Sequence, residues 1–379
     1  MIPSLPSRTK TDVWTQAAAV AAFCAAHAAQ IDMEGAFPVE EFGRLREAGL
    51  LSVSLEPQRG GLGWGMLPGT TGDLLRLLQI IGQGSLAVGR LYEGHLNALL
   101  LMQMFGTEAQ RTRWADDACR GRLFSVWNTQ DEDGVRLVPI AGGKYQLQGA
   151  KTFASGADHI GRPLLTGALP DGGWQMVILP TERTYPAPFD PLFWQLLGMR
   201  ATASVRMDFS GLEISGDDLL GASGDYYRQP AFSGGAIRYM AVQMGGAQAL
   251  LEAVRGYLRG QNRTQDLFQR ERTGRIAALV ETGMLWLARA GTLADIADAE
   301  TLVEYTHMAR AVVEESCLEI LRLAERSVGA RGLLRPHPME RIHRDLTLYL
   351  RQAGADSALV SAGRSVLESP LPADALWNH

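Results

Sequence analysis

Residues able to do chemistry are plentiful in this chain, yet none forms a self-sufficient catalytic signature. The 379 residues include 7 histidines, 3 cysteines and 41 acidic side chains. No Gly-x-x-x-x-Gly-Lys-Ser/Thr loop, His-Glu-x-x-His pair, Cys-x-x-Cys pair or Gly-x-Ser-x-Gly elbow occurs, so the nucleoside triphosphatase, zincin and α/β-hydrolase readings fall away. Cys24, Cys119 and Cys317 are too widely separated for a thiolate metal site or a disulfide framework, and they suit a reducing cytoplasm. The run Pro57–Gly65 lacks the strand–loop–helix setting of a dinucleotide fingerprint and reads as a loop that needs positive φ. Asn262-Arg263-Thr264 has the form of a glycosylation acceptor and is read as a chance match. His95 stands alone on an apolar stretch, as well suited to core packing as to acid–base work. Chemistry here must be assembled from segments far apart in sequence.

The elements that would assemble it fall into three textures. Residues 1–120 read as helices interrupted by the glycine loop, with Ala17–Ala29 in a first amphipathic helix rather than a cleaved leader. From 121 to 224 the pattern breaks into short segments punctuated by Gly, Pro and Asp. Within it Val205, Met207 and Phe209 alternate with Arg206 and Asp208, the period of a half-buried antiparallel strand. From 225 to 379 helical periodicity returns. Ile276, Leu279, Val280, Gly283 and Leu287 share one face, and Tyr305, Ala309, Val313, Cys317, Ile320 and Ala324 make a second. The order predicts an α+β protein with an N-terminal helical domain, a middle antiparallel β-barrel or sandwich, and a C-terminal helical bundle. Lys plus Arg number 36 against 41 Asp plus Glu, a net charge of -5, so no basic surplus steers the chain to nucleic acid or anionic lipid. No run reaches the ~18 apolar residues of a membrane span. Any polyanionic ligand must be met by local arginines.

Several short matches, in order along the chain, resemble the acyl-CoA dehydrogenase superfamily. They are the Pro57–Gly65 loop, Phe105-Gly106-Thr107-Glu108-Ala109-Gln110, Trp127-Asn128-Thr129-Gln130, Gly149-Ala150-Lys151-Thr152-Phe153-Ala154-Ser155, Leu197-Gly198-Met199-Arg200, Val328-Gly329-Ala330-Arg331-Gly332 and Arg344-Asp345. The resemblance implies a C-terminal four-helix bundle, FAD between the β domain and the bundle, and a homo-oligomer, dimer or tetramer, in which a neighbouring subunit closes over the adenosine end. It implies flavin contacts at Trp127, Asn128 and Thr129, ring packing by Phe153 and an N5-side contact by Ser155. It places Arg263 against the pyrophosphate, with Arg259 or Arg270 as replacements, and Gly329 and Gly332 against the adenosine diphosphate half. Arg326 stands where the family usually has Gln. Arg238 is the cation nearest the usual substrate arginine, and the substrate is a small acyl or aromatic molecule, possibly a CoA thioester. No metal is implied.

The same resemblance exposes a gap. Desaturating a thioester needs a carboxylate to take the α proton, and the family's glutamate falls on Ala353, while the alternative position on the first bundle helix falls near Gly235-Ala236. Three readings follow. Asp356 or Glu93 substitutes as base. Alternatively, the chain is a flavin-dependent monooxygenase of the same fold, working with reduced flavin (FAD or FMN) and oxygen. Leu91-Tyr92-Glu93-Gly94-His95 and Phe153-Ala154-Ser155-Gly156 resemble that branch, with His95 beside the flavin. Finally, the chain is a redox-inactive binding protein.

Overall fold

The computed structural model describes residues 9–181, 189–190 and 193–377. Helices come first: α1 (Lys10–Glu34), α2 (Val39–Glu47), α3 (Thr71–Gly84), α4 (Leu86–Phe105) and α5 (Glu108–Cys119). Local chemistry sets their ends. The Thr107 hydroxyl accepts from the Gln110 N–H while the Gln110 side chain accepts from the Thr107 N–H, so the Thr and Gln of the Phe-Gly-Thr-Glu-x-Gln segment are a reciprocal cap for α5. The Pro57–Gly65 loop is a packing device rather than a phosphate cradle. A Cβ on Gly61 would lie 2.0 Å from the Leu55 carbonyl oxygen, and Gly60, Gly63 and Gly65 have positive φ.

The middle region holds two sheets. One has seven strands: β1 (Phe124–Trp127), β2 (Arg136–Ile140), β3 (Lys144–Gln148), β5 (Arg162–Ala168), β6 (Trp174–Ile178), β9 (Glu213–Ser215) and β10 (Leu219–Leu220). The other joins β4 (Ala150–Ala154), β8 (Val205–Asp208) and β7 (Phe189–Asp190). The alternation read in Val205–Asp208 is the observed burial pattern. The pairing is not wholly antiparallel as expected, because β1 runs parallel to β5 and β2 touches β5 in parallel at its end. The chain enters the sheet from α5 and brings β1 in beside a distant strand, a long-range pairing that local periodicity does not encode.

Helices then return as α6 (Ala231–Gly234), α7 (Ala236–Gly260), α8 (Leu267–Ile296), α9 (Ala299–Val328), α10 (Pro338–Tyr349) and α11 (Ala355–Glu368). Both predicted stripes face the bundle core: Ile276, Val280, Gly283 and Leu287 on α8, and Tyr305, Ala309, Val313, Cys317, Ile320 and Ala324 on α9, are buried, and only Leu279 is partly covered. Among the described residues α8 is the one helix long and apolar enough to cross a membrane, and its apolar stripe packs on α7 and α9. The architecture is thus α+β, with helices, sheets and helices in chain order.

Two contacts hold the parts together. The turn Leu197–Arg200 docks on α10, where the Met199 N–H donates to Asp345 Oδ1 at 2.6 Å and Arg344 donates to the Leu197 carbonyl at 2.9 Å while pairing with Asp32 of α1 at 2.6 Å. Burial raises the Asp345 carboxyl to about 6, against the pull of Arg341. The N-terminal helices meet the bundle where α3 crosses α7 at glycines. A Cβ on Gly245 would lie 2.3 Å from the Gln79 carbonyl oxygen, and one on Gly82 would lie 2.6 Å from that of Val242. Backbone cannot yield as a flexible side chain can. Gly245→Ala is therefore expected to lose about 2–3 kcal/mol of stability through overpacking, read as a lower midpoint in a urea melt; an unchanged midpoint refutes the close crossing.

Candidate active site

Helix α4 is buried on nearly every face, which explains its apolar sequence and fixes where its polar residues point. His95 is fully buried, with Nε2 2.7 Å from the Leu51 carbonyl oxygen and Nδ1 3.0 Å from the Phe124 amide nitrogen. A carbonyl only accepts and an amide N–H only donates, so the imidazole is the neutral tautomer protonated on Nε2. Burial pulls its pKa down from 6.5 to about 4. In this structure both ring nitrogens of His95, expected to serve acid–base work beside the flavin, are engaged, and the residue ties α4 to β1 and to the turn at Leu51.

The neighbouring strand ends gather most of the residues assigned to a flavin. Phe153 sits at a bulge between β4 and β8 with φ 54, and its ring, 44% exposed, meets Phe193 at 5.5 Å and Trp194 at 5.7 Å edge-on. Holding a non-glycine residue at positive φ is strained, so the surroundings over-determine an exposed aromatic face. Beside it, the buried Thr152 hydroxyl lacks a hydrogen-bond partner. These features fit a flat aromatic ligand with polar edges, which is what an isoalloxazine offers. Thr129 is exposed, with its carbonyl accepting from the Thr152 N–H at 3.0 Å. Ser155 is buried and bonded to the Ser204 hydroxyl at 2.8 Å. Trp127, expected among the flavin contacts, is 2% exposed, and its indole N–H donates to the Ser155 carbonyl at 3.1 Å. The Asn128 side chain accepts from Thr166 at 2.6 Å, and its carbonyl accepts from the buried Lys151 ammonium at 2.9 Å. Burial lowers Lys151 to about 7.

On the other side of β1, Val126 forms part of the wall of a cavity of about 270 Å³. Both positions where the family keeps its base, Gly235-Ala236 and Ala353, line this one cavity. Its single carboxylate is Glu93, whose oxygens accept from Arg90 at 2.7 Å and from the Asn97 amide. Glu93 and Asn97 lie one turn apart on α4 and so share a face. The Asn97 carbonyl oxygen in turn accepts from Arg238 Nε in the first turn of α7. Burial lowers Arg238 below the usual guanidinium range, against the pull of Glu93 and Tyr226. Tyr226, Ser233, Tyr239, Arg310 and Gln352 complete the polar lining. Asp356, the other expected base, lies apart from these residues. It is exposed in the first turn of α11, where a carboxylate complements the helix N-terminus, and it lies outside the cavity wall.

Asn97, Tyr239 and Arg310 escaped sequence reading. The four-residue step from Glu93 to Asn97 was the only local clue to any of them.

The nucleotide residues lie elsewhere. Arg263, ion-paired to Asp266 at 2.7 Å, joins Arg255, Arg259 and Arg270 around a groove of about 350 Å³. With its amide nitrogen turned to Ser327, Gln269 links that hydroxyl at 3.2 Å to Arg263 at 3.1 Å, which sets the groove beside the end of α9. There Gly329 has φ 71 and Gly332 is buried against Val328 and Met339. Twenty residues of α7 separate Leu258 from Arg238, a span of about 30 Å. Within one chain, therefore, the arginine groove and the cavity are at opposite ends of one helix.

Helices, sheets and bundle in this order, with a cavity at their junction, define the acyl-CoA dehydrogenase fold. The chain superimposes on FMN-bound TdsC from Paenibacillus sp. A11-2 with TM-score 0.85 at 20% identity, covering 97% of this chain and 100% of that one. It superimposes on butyryl-CoA dehydrogenase from Megasphaera elsdenii with TM-score 0.83 at 16% identity, covering 95% and 98%. In sequence it is 25% identical over 382 residues to the dibenzothiophene monooxygenase of Mycolicibacterium goodii, across 90% of each chain. The profile of the acyl-CoA dehydrogenase N-terminal domain matches residues 14–122 and that of the C-terminal domain residues 223–361. The chain belongs to the acyl-CoA dehydrogenase family.

The stability His95 lends is complete above about pH 6.5 and is lost as pH falls toward 4, because the unfolded chain takes up a proton that the folded one refuses. His95→Ala should cost about 2–4 kcal/mol at pH 7 and flatten that acid limb, measured by denaturant melts between pH 4 and 8. A His95→Ala protein as stable as the parent, with only activity lost, contradicts the structural assignment.

Proposed function

We propose that this protein is a flavin-dependent monooxygenase of the acyl-CoA dehydrogenase fold. The observation that carries the proposal is the cavity wall: both family base positions open into it as Gly235-Ala236 and Ala353, and its one carboxylate is already shared between Arg90 and Asn97. Removing a substrate α proton needs a carboxylate set against that carbon, and neither family position carries one; Glu93, the carboxylate that lines the cavity, is tied to Arg90 and Asn97. Acyl-thioester desaturation is therefore the weaker reading. The relative named dibenzothiophene monooxygenase and the superimposable FMN-bound structure support the oxygenating one.

In this proposal a reduced flavin supplies the electrons that let oxygen react with the substrate. The chain supplies position and enclosure. Phe153 backs the ring, the exposed Thr129 meets its polar edge, and Ser155, fixed by Ser204, holds the strand end in place. Leu101, Val126 and Phe232 keep the adjoining cavity partly apolar and limit water. The groove at Arg263, Gly329 and Gly332 serves the nucleotide half of a neighbouring subunit's flavin in a homo-oligomer, since it lies about 30 Å from this chain's own cavity. All three cysteines are free, as suits a cytoplasmic enzyme.

Two measurements on flavin-loaded protein test the reading. Anaerobic mixing with acyl-CoAs of graded chain length should leave the flavin absorbance unbleached. Reduced flavin under ¹⁸O₂ with a panel of small aromatic and acid substrates should give a product carrying one ¹⁸O atom. Bleaching by an acyl-CoA, without ¹⁸O incorporation, overturns the proposal.

A further inference from the structure

The charge balance of the cavity says what kind of molecule it is built to take. Three guanidinium groups, Arg90, Arg238 and Arg310, gather round one carboxylate, Glu93, which Arg90 already occupies. Arg238 uses only Nε, on Asn97, and Arg310 uses only Nη2, on the Ala353 carbonyl at 2.8 Å. Neither forms an ion pair with a carboxylate among the described residues. The next acid outward, Glu314, is held by Arg351 at 3.0 Å. The Arg310 guanidinium lies over the Tyr239 ring, 5.7 Å from its centroid, which holds this cation at the cavity wall.

Leaving the partly buried Arg238 fork without an anionic partner is costly, and an incoming anion relieves that cost. We infer that the cavity binds a small organic anion, its acid group held by Arg238 and Arg310, the two guanidinium groups in its lining. Leu101, Val126 and Phe232 give the rest of the molecule an apolar wall. About 270 Å³ accommodates a body the size of one aromatic ring and no more than a short chain. This names the substrate class of the proposed monooxygenase and rests on that reading for the chemistry. The binding claim stands on the cavity alone.

The test is isothermal titration of benzoate and phenylacetate against their neutral counterparts, benzamide and phenylacetamide, on the purified protein with and without added flavin. The acids should bind at least about tenfold more tightly than the amides, as charge-assisted hydrogen bonds to two guanidinium groups require. Arg310→Gln should lose about tenfold in affinity for the acids and little for the amides, while Arg310→Lys, which keeps the charge, loses less; thermal melts confirm that both variants fold. Equal affinity for acid and amide, no binding of either acid at millimolar concentration, or acid affinity untouched in Arg310→Gln each overturns the inference. Anion selectivity without any uptake of flavin would instead sink the monooxygenase reading and leave this one standing.

Discussion

The sharing of the Glu93 carboxylate between Arg90 and Asn97 is the interaction on which the rest of the site depends. Glu93 is tied to Arg90 and Asn97, and Asn97 passes its other face to Arg238, so the carboxylate is held on α4 while Arg238 and Arg310 face the cavity without a carboxylate hydrogen-bonded to them. The chain Arg90–Glu93–Asn97–Arg238 also joins α4 to α7, adding a polar tie beside the close crossing of α3 on α7. A polar network of this kind is stabilising only while every member is satisfied, which makes the open ends at Arg238 and Arg310 the informative ones.

The fold places two distinct surfaces on either side of β1. One is the strained, exposed Phe153 face beside Trp194, held by the bulge against β8 and by the turn that Asp345 anchors. The other is the cavity behind Val126. His95 fixes the distance between α4 and this strand through the Phe124 amide, so a residue with the look of a catalyst acts here as a spacer.

Much of this was legible in the sequence where the signal is local. The stripes on α8 and α9 appear as read, because a 3.6-residue period reports directly which face is buried. The segments Leu197–Arg200 and Arg344-Asp345, matched separately, proved to touch, and Thr107 with Gln110 proved to be a cap. The vacancy at Ala353 was visible by counting, and the structure adds that Gly235-Ala236 opens into the same cavity. What stayed hidden was long-range. The role of His95 depends on Leu51 and Phe124, 44 and 29 residues away, and no helical period distinguishes a satisfied histidine from a reactive one. Asp356 looked displaced by three residues from a base position, but the turn at Gly354 starts a new helix there and carries it to the surface. Arg310 and Tyr239 belong to different helices and meet only in the packed bundle.

A crystal structure of the flavin-loaded protein decides whether the pocket beside the proposed flavin ring holds a catalytic base. The expected result is the ring against Phe153, its reactive edge opening into the cavity of Ala353, Arg238 and Arg310, with Glu93 still bound to Arg90 and Asn97 and no carboxylate within about 3.2 Å of the site a substrate carbon would occupy. A carboxylate standing free within that reach, or a flavin seated away from Phe153, would contradict it.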